Sequence, residues 1–527
     1  MKRSRGPNHM CVCGRLWWAW VSAAGAALLA PGIDAGDWPQ YRGPNHDGVS
    51  TEIIRTNWSE QPPGEVWKVA LDPGLSSLSV SGGKVFTLVR RPVGGQDQEF
   101  CVALNAETGA ELWASPALGQ AIYPDGGVGP DDGPRSTPSV DGDRVYVLTS
   151  YLRLYCLDIT NGAAVWSKDL VSAYGSTVIA WQSAASPLIE GDLVLVIGNA
   201  ADRCLLAFRK SDGVEAWAGQ NDVMTQASPV AATVAGVRQV IFFAKSGLVS
   251  VAPDSGSVLW RYAFPFSTST GASPVVGGDV VYCSAAYGVG AGAVRIGASG
   301  GQLSASEVWR TPGANMNHWP TPVFEGGYVY GVYGQAGIAA SLRCLELATG
   351  TEKWRQQIGG MGGVLLTTGH VLLLTEDGNL ILVKPDPTAY SESARYRALD
   401  GSRSSIAGLA VKCWNVPAIS NGRIYARSTT EAVCLEAAAV AAATNQPPAA
   451  PAPLSPPDGA TNQPLTLTLQ ASAFSDPDGD SQAAARWVIL RQIDGATVFD
   501  SGSDTNNKTN LTVPAGVLNW STTAVGW

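Results

Sequence analysis

Between residues 64 and 440 apolar and polar positions alternate in short runs separated by glycine-rich turns. "DRVYVLTS" (143–150) and "GDLVLVIG" (191–198) carry β-branched residues at every second place behind a Gly/Asp turn. Such a period marks half-buried strands opened by tight turns. A second strand follows, such as "RLYCLDI" (153–159), then "TNG" or "ETG", then a third strand that ends on tryptophan. Glycine in that turn supplies a positive φ angle. Ahead of each group lies a short strand opened by small residues and proline: "STPSV" (136–140), "ASPLI" (185–189), "ASPVA" (227–231), "ASPVV" (272–276), "PTPVF" (320–324). The pattern predicts four strands per unit.

The units repeat. "ALNAETGAELW" (103–113) returns as "CLDITNGAAVW" (156–166), "AFRKSDGVEAW" (207–217) and "CLELATGTEKW" (344–354). Aligned on Gly109, Gly162, Gly213, Gly256 and Gly350, the tryptophans four places on are Trp113, Trp166, Trp217, Trp260 and Trp354; Trp309 is a sixth, with Ala305 in the glycine's place. A period of about 40–50 residues with four strands per repeat predicts propeller blades. A seventh, degenerate blade reads "GHVLLLTEDGNLILVK" (369–384) closed by "ARYRAL" (394–399). An eighth starts at "CWNVPAISNGRIYARS" (413–428), continues through "EAVCLEA" (431–437) and lacks an outer strand. "GEVWKVAL" (64–71), with Trp67 in the repeat position, is the strand expected to complete it and close the ring. The reading is an all-β chain: an eight-bladed β-propeller over residues 64–440, followed by a small β-sandwich.

The recurring Ala/Cys-x-Asp/Asn/Glu-x-x-Thr-Gly-x-x-x-Trp resembles the tryptophan-docking motif of pyrroloquinoline-quinone-like (PQQ-like) repeats. The opening "DWPQYRGPNHDGVS" (37–50) is similar to the start of secreted bacterial members of that superfamily. The resemblance covers roughly residues 37–440. It implies that Trp67, Trp113, Trp166, Trp217, Trp260, Trp309 and Trp354 pack between adjacent blades as structural docking residues. It implies two functions of different kinds, because the superfamily holds quinoprotein alcohol dehydrogenases and a non-catalytic subunit of the outer-membrane barrel-assembly machinery. Fold alone does not choose between them.

Composition narrows the choice. Lys2, Arg3 and Arg5 precede the apolar run Leu16–Leu29, and "GIDA" ends at Ala35. This is a secretory signal pattern over residues 1–35, with an N-terminal extension over 36–63. The run is short for a membrane span, and the mature chain is expected to be exported and soluble, in the periplasm, at the cell surface or outside the cell. The net charge is −9, and the signal takes four basic residues and one acid with it. No basic run follows, which argues against nucleic acid and anionic membrane as partners.

Seven of the nine cysteines follow the signal. Cys156 and Cys344 alternate with Ala103 and Ala207 at one repeat position, and Cys434 occupies a similar one, so they read as small buried residues. An odd count leaves at least one thiol outside any intramolecular disulfide. The vicinal Cys-Cys of methanol-dehydrogenase-like members and the C-x-x-C-H of haem-bearing ones do not occur. His46, His318 and His370 are the histidines after the signal, and no His/Cys set has metal-ligand spacing. No metal and no catalytic residue is assigned. The dispersed quinone and calcium ligands of a PQQ enzyme would escape such a search, so PQQ with calcium stays as the alternative.

Segments that precede the innermost strands of a propeller feed one mouth of its channel. They bring Arg135, Gln182, Gln226, His318, Trp319, Trp414 and Asn415 as candidate ligand- or partner-binding residues. A guanidinium, amides and aromatics suit a polar ligand or a peptide. Asp125, Asp131 and Asp132 form an acidic loop that reads as solvated. "NQPPAAPAPLSPP" (445–457), within a linker over 441–457, is an extended spacer. Residues 458–527 resemble a fibronectin type III or immunoglobulin-like module; about 70 residues is short for one, which leaves room for a missing last strand. "DPDGD" (476–480) is not taken as a calcium site. The leading expectation is an exported non-catalytic scaffold that binds an envelope protein or other extracytoplasmic ligand. The alternative is a PQQ-dependent dehydrogenase oxidising an alcohol or sugar.

Overall fold

The computed structural model describes residues 36–121, 133–268, 270–335, 340–406 and 409–439, and in the C-terminal part 449, 451–457, 460, 463–475, 482, 484–491, 496–518 and 525–526. The signal segment, Asp125, Asp131, Asp132, most of the proline-rich linker and "DPDGD" lie outside the described residues. The chain divides after Ala439 into two compact units.

The larger unit is an eight-bladed propeller of antiparallel sheets. Blade one runs from Ser79–Ser81 through Lys84–Val93 and Gln96–Asn105 to Glu111–Ala114. Blades two to seven follow, innermost strand to outermost: Ser139–Asp141 to Ala164–Asp169, Leu188–Glu190 to Glu215–Gly219, Val230–Val234 to Val258–Ala263, Val275–Gly277 to Gln302–Pro312, Val323–Glu325 to Glu352–Gln357, and Gly362–Thr367 to Glu392–Arg397. Blade eight takes Ala418–Ser420, Arg423–Arg427 and Glu431–Glu436 from one end of the ring and Gly64–Ala70 from the other. Trp67 faces Cys434 in that last pairing. Neighbouring innermost strands touch in turn from blade one to blade seven, and Ala418–Ser420 touches Ser79–Ser81. The segment that leads into blade eight lies on blade seven, where a Cβ on Gly363 would collide with Asn415 O, so the ring closes.

Three features explain the repeat. Across the outer three strands of blade two, Tyr146, Cys156 and Trp166 form a row. Tyr330, Cys344 and Trp354 repeat it, as do Tyr425, Cys434 and Trp67. The small middle residue lets the flanking rings come to 6.0–6.1 Å between centroids. Cysteine is a small hydrophobe in this setting. All seven described cysteines are free and buried. Burial pushes the Cys156 and Cys344 thiols up to about 11, which keeps them protonated.

Second, each tryptophan reaches into the following blade. Trp113 Nε1 donates to Ile159 O at 3.0 Å, Trp166 to Lys210 O at 2.9 Å, Trp217 to Pro253 O at 2.7 Å and Trp309 to Leu347 O at 2.7 Å. Trp67 bonds Ala106 O and Trp354 bonds Asp386 O. The ring lies on the next blade's turn glycine: a Cβ on Gly162 would stand 2.5 Å from Trp113, and one on Gly213 2.6 Å from Trp166. The glycine and the tryptophan four places later therefore serve different seams. Trp260 is the exception, and its Nε1 bonds Gln239 of its own blade. The following blade has Ala305 in the glycine's place, on a long hairpin from Gly290 to Pro312, so the tight turn that would receive the ring is absent there. Trp67, Trp113, Trp217 and Trp260 are buried, while Trp166, Trp309 and Trp354 are half-buried.

Third, a hydroxyl at the position before the entry proline, or before Leu78 in blade one, ties several neighbouring blades. Val416 N donates to Ser77 Oγ, Ser77 N to Thr137 Oγ1, Thr137 N to Ser186 Oγ and Ser186 N to Ser228 Oγ, at 2.9–3.2 Å. Ser273 N donates to Thr321 Oγ1 at 2.9 Å. The belt breaks between blades four and five, where Ser273 Oγ has no partner among the described residues.

The extension over 36–63 is part of this unit. Trp38 pairs with Val80, Pro39 O accepts from Val140 N, Gly48 O and Ser50 N bond Leu366, and Arg55 N bonds Ala437 O. Arg42 donates to Thr321 O and Pro322 O. The extension thus bonds blades one, two, six, seven and eight, with Arg42 reaching the entry proline Pro322. Tight reversal needs left-handed residues at Arg42, Gly43, His46 and Gly48.

In the second unit, Pro453–Ser455, Thr468–Ala471 and Asn510–Thr512 form one sheet, and Thr497–Asp500, Val488–Arg491 and Val525–Gly526 another. Leu467, Leu469, Trp487, Ile489 and Val513 make a common core.

Candidate functional site

The loops that feed the innermost strands meet at one mouth of the channel. Arg135 Nη1 donates to Trp181 O at 2.6 Å, and Gln226 Nε2 to Ala180 O and Gln182 O at 2.9 and 3.2 Å. Trp181 and Gln182 are both left-handed, which costs bulky residues roughly 1–3 kcal/mol each. The Trp181 ring lies nearly parallel to Tyr287, at 16° and 6.4 Å. Tyr287 meets His318 edge-on at 4.9 Å, His318 meets Trp319 at 4.5 Å, and Trp319 meets Trp414 at 4.3 Å. Lys412 Nζ stands 4.7 Å from the Trp414 ring centre. The contacts run from the loop after blade two to the loop before blade eight.

Of the seven residues selected from the sequence, Arg135, Gln182 and Gln226 meet in one arm and His318, Trp319 and Trp414 in the other. Asn415, next to Trp414, turns its amide to Leu75 and Ser76 instead. Gly271 N bonds His318 O, and a Cβ on Gly271 would lie 3.1 Å from Trp319 and 3.8 Å from Gln226. Sequence reasoning missed Trp181, Tyr287, Lys412 and Glu376. Trp181 stands beside Gln182 in the same segment and had a signal; Tyr287 comes from a hairpin inside blade five and had none. Trp181 and Tyr287 are the exposed rings, at 42% and 40%.

Burial holds His318 down at about 4, so it is neutral at pH 7. Trp414 Nε1 donates to Glu376 Oε1 at 2.8 Å, and Met361 N to Glu376 Oε2. Asn415 Nδ2 donates to Leu75 O and Ser76 O. Trp319 Nε1, Gln182 Oε1 and Asn415 Oδ1 are buried without a partner among the described residues, and a buried polar atom in that state invites a hydrogen-bonding ligand or water.

Both oxygens of Glu376 are engaged, while the Asn415 side chain is held through its amide nitrogen and leaves Oδ1 without a partner among the described residues. Among the described residues no three His, Cys, Asp or Glu side chains gather to hold an ion.

Eight antiparallel blades, tryptophan docking between most of them and a loop-built mouth are the features of a β-propeller that resembles PQQ-like repeat proteins. The family described as outer membrane protein assembly factor BamB matches residues 97–321. The BamB of Moranella endobia (strain PCIT) is 22% identical over 308 residues, which span 55% of this chain and 62% of that protein. The BamB of Yersinia pestis is 20% identical over 349 residues, 63% of this chain and 71% of that protein. Quinohemoprotein alcohol dehydrogenase from Comamonas testosteroni superposes with a TM-score of 0.53 at 13% identity, covering 76% of this chain and 80% of that one. That likeness concerns the fold alone.

Proposed function

We propose that this chain is an exported, non-catalytic propeller scaffold that holds an envelope protein at the aromatic mouth of its channel. The observation that carries the reading is the run of contacts from Trp181 through Tyr287, His318 and Trp319 to Trp414. It ends in two exposed rings beside Arg135. Aromatic and arginine side chains supply most of the binding energy at protein interfaces. The relatives described as outer membrane protein assembly factors support a partner in the envelope. Among the described residues no helix is long and apolar enough to cross a membrane.

The test places a photo-crosslinking amino acid at Trp181, Tyr287 or, on the outer strand of blade two, Lys168, in the whole protein in its native envelope. Discrete products from the first two positions and none from Lys168 are expected. Arg135→Ala with Trp319→Ala should remove them while thermal stability is retained. Products from Lys168 alone defeat the proposal. A quinoprotein spectrum with dye-linked alcohol oxidation, after addition of PQQ and calcium, would replace it with the dehydrogenase reading.

A further inference from the structure

The chain holds five methionines, of which Met1 and Met10 lie in the signal segment. Met224 and Met361 are core residues, at 0% and 2% exposure. Met316 is half-buried, and its sulfur makes a hydrogen bond that lies at the surface. Its backbone is fixed: Gly334 N bonds Met316 O at 2.8 Å, and its neighbours Asn315 and Asn317 are buried. All seven described cysteines are buried. The Met316 thioether is therefore the accessible sulfur among the described residues, and it stands two residues from His318 in the mouth.

That sulfur holds the loop that carries Tyr287. Tyr287 and Gly288 form the tip between the strands Val280–Ala285 and Gly290–Ser299 of blade five. Their φ angles are +58° and +80°. Positive φ at both central residues suits a tight hairpin turn, but it is a sparsely populated region for a bulky side chain. Val289 N closes the turn on Ala286 O. The two N–H groups at the tip bond outside the hairpin: Tyr287 N to Gln335 Oε1 at 3.0 Å and Gly288 N to Met316 Sδ at 3.2 Å. A strained tip of this kind persists because its surroundings over-determine it, and Met316 supplies one of those ties.

We propose that Met316 is a reversible oxidation site: peroxide converts its thioether to the sulfoxide, which releases the Tyr287 tip and lowers the hold of the mouth on its partner. A sulfur lone pair attacks one oxygen of hydrogen peroxide, and the S–O bond forms as the O–O bond breaks. The departing hydroxide takes the proton from the sulfur-bound oxygen and leaves as water. Sulfur loses two electrons and peroxide gains them. A sulfoxide reductase and a dithiol reverse the step, giving thioether, disulfide and water. At 3.2 Å there is no room for an oxygen between Sδ and Gly288 N, so oxygen on the bonded lone pair displaces the tip. Oxygen on the other lone pair draws electron density from sulfur and weakens it as an acceptor. Loss of partner binding follows only if the mouth is the binding face; oxidation and release of the tip do not depend on it.

The experiment treats the whole protein with hydrogen peroxide and follows it by peptide mass spectrometry and hydrogen–deuterium exchange. Met316 should gain oxygen about ten-fold faster than Met224 and Met361, because susceptibility follows exposure. Exchange at Tyr287 and Gly288 should rise about ten-fold in step with it, and fall again after sulfoxide reductase and dithiothreitol. Met316→Leu has no sulfur to oxidise and should show no peroxide response at the tip; the reductase reversal supplies the same contrast if that variant does not fold. In the native envelope, photo-crosslinks from position 181 should drop on oxidation and recover on reduction. Oxidation that spares Met316, a Met316 sulfoxide with unchanged or slower exchange at the tip, or the same response in Met316→Leu overturns the proposal. A released tip with undiminished crosslinks overturns the control of binding. Absence of crosslinks before any peroxide is added defeats the binding face instead, and leaves the release of the tip to stand on the exchange data.

Discussion

The guanidinium of Arg427, in blade eight, donates from Nη1 to Thr87 Oγ1 of blade one at 2.7 Å. The same group bonds the carbonyls of Leu88, Gly74, Ser428 and Thr429. It is fully buried, and burial pushes it down to about 9, so it is still charged at neutral pH. Arg427→Met keeps much of the bulk and strands four carbonyls and a hydroxyl. Each stranded group costs about 1–3 kcal/mol. The variant should lose at least about 3 kcal/mol in denaturant titration; a loss under about 1 kcal/mol would mean that the seam does not depend on this residue.

The seating of each tryptophan on the next blade's glycine gives a paired test. Gly213 has φ +68° and faces Trp166, whereas Gly191 has φ +56° and nothing within 4 Å of a built Cβ. Gly191→Ala should cost about 1 kcal/mol, from backbone strain alone. Gly213→Ala adds a clash and should cost about 2–4 kcal/mol. Equal losses by thermal unfolding would remove the docking argument.

The hydroxyl belt predicts an asymmetry between two serines of the same repeat position. Ser186→Ala leaves Thr137 N–H without its acceptor and should cost about 1–3 kcal/mol. Ser273→Ala removes a hydroxyl that bonds nothing among the described residues and should lie within about 0.5 kcal/mol of the parent. Chemical denaturation of the two variants side by side decides it.

His46 and His318 are both depressed by burial from 6.5 to about 4. The unfolded chain then binds more protons than the folded one between those values. Stability contributed by the neutral rings is therefore present above pH 6.5 and lost as pH falls toward 4. Glu190 faces His46 and raises it, Arg238 and Arg42 lower it, and burial is the largest cause of the depression. Asp47 and Glu52, raised by burial, work in the opposite direction in the acid range. His46→Gln and His318→Gln should each flatten the fall in unfolding free energy between pH 7 and 4.5. Profiles that stay parallel to the parent's would contradict the burial of these rings.

The fold was legible because its signals are local and repeated. Period-two strands, turn glycines and tryptophans at fixed offset specify a blade wherever they occur, and Trp67 stands in the same frame as the others. The mouth was legible at the level of segments, since the residues before each entry proline must emerge on one side of a ring. The contacts there were not, because Tyr287 reaches the cluster from a hairpin whose sequence carries no mark of it. The extension was set apart as a separate stretch. Its apolar residues Trp38, Ile54 and Trp58 have no period, and their burial follows from surfaces contributed by blades far along the chain.

The pairing of Gly64–Ala70 with Glu431–Glu436 has a consequence for assembly. Arg427 and Thr87, which flank that seam, are 340 residues apart in sequence, so closure is a late and slow event in folding. Until it happens, both strands present bare edges of identical address. A second molecule at the same stage offers the same two edges, and exchange between copies satisfies them as well as closure does. The expected failure of this protein at high concentration is therefore an exchanged dimer or an open string of rings, held by native pairings. Dilution before the seam forms should suppress it, and dilution afterwards should not release it.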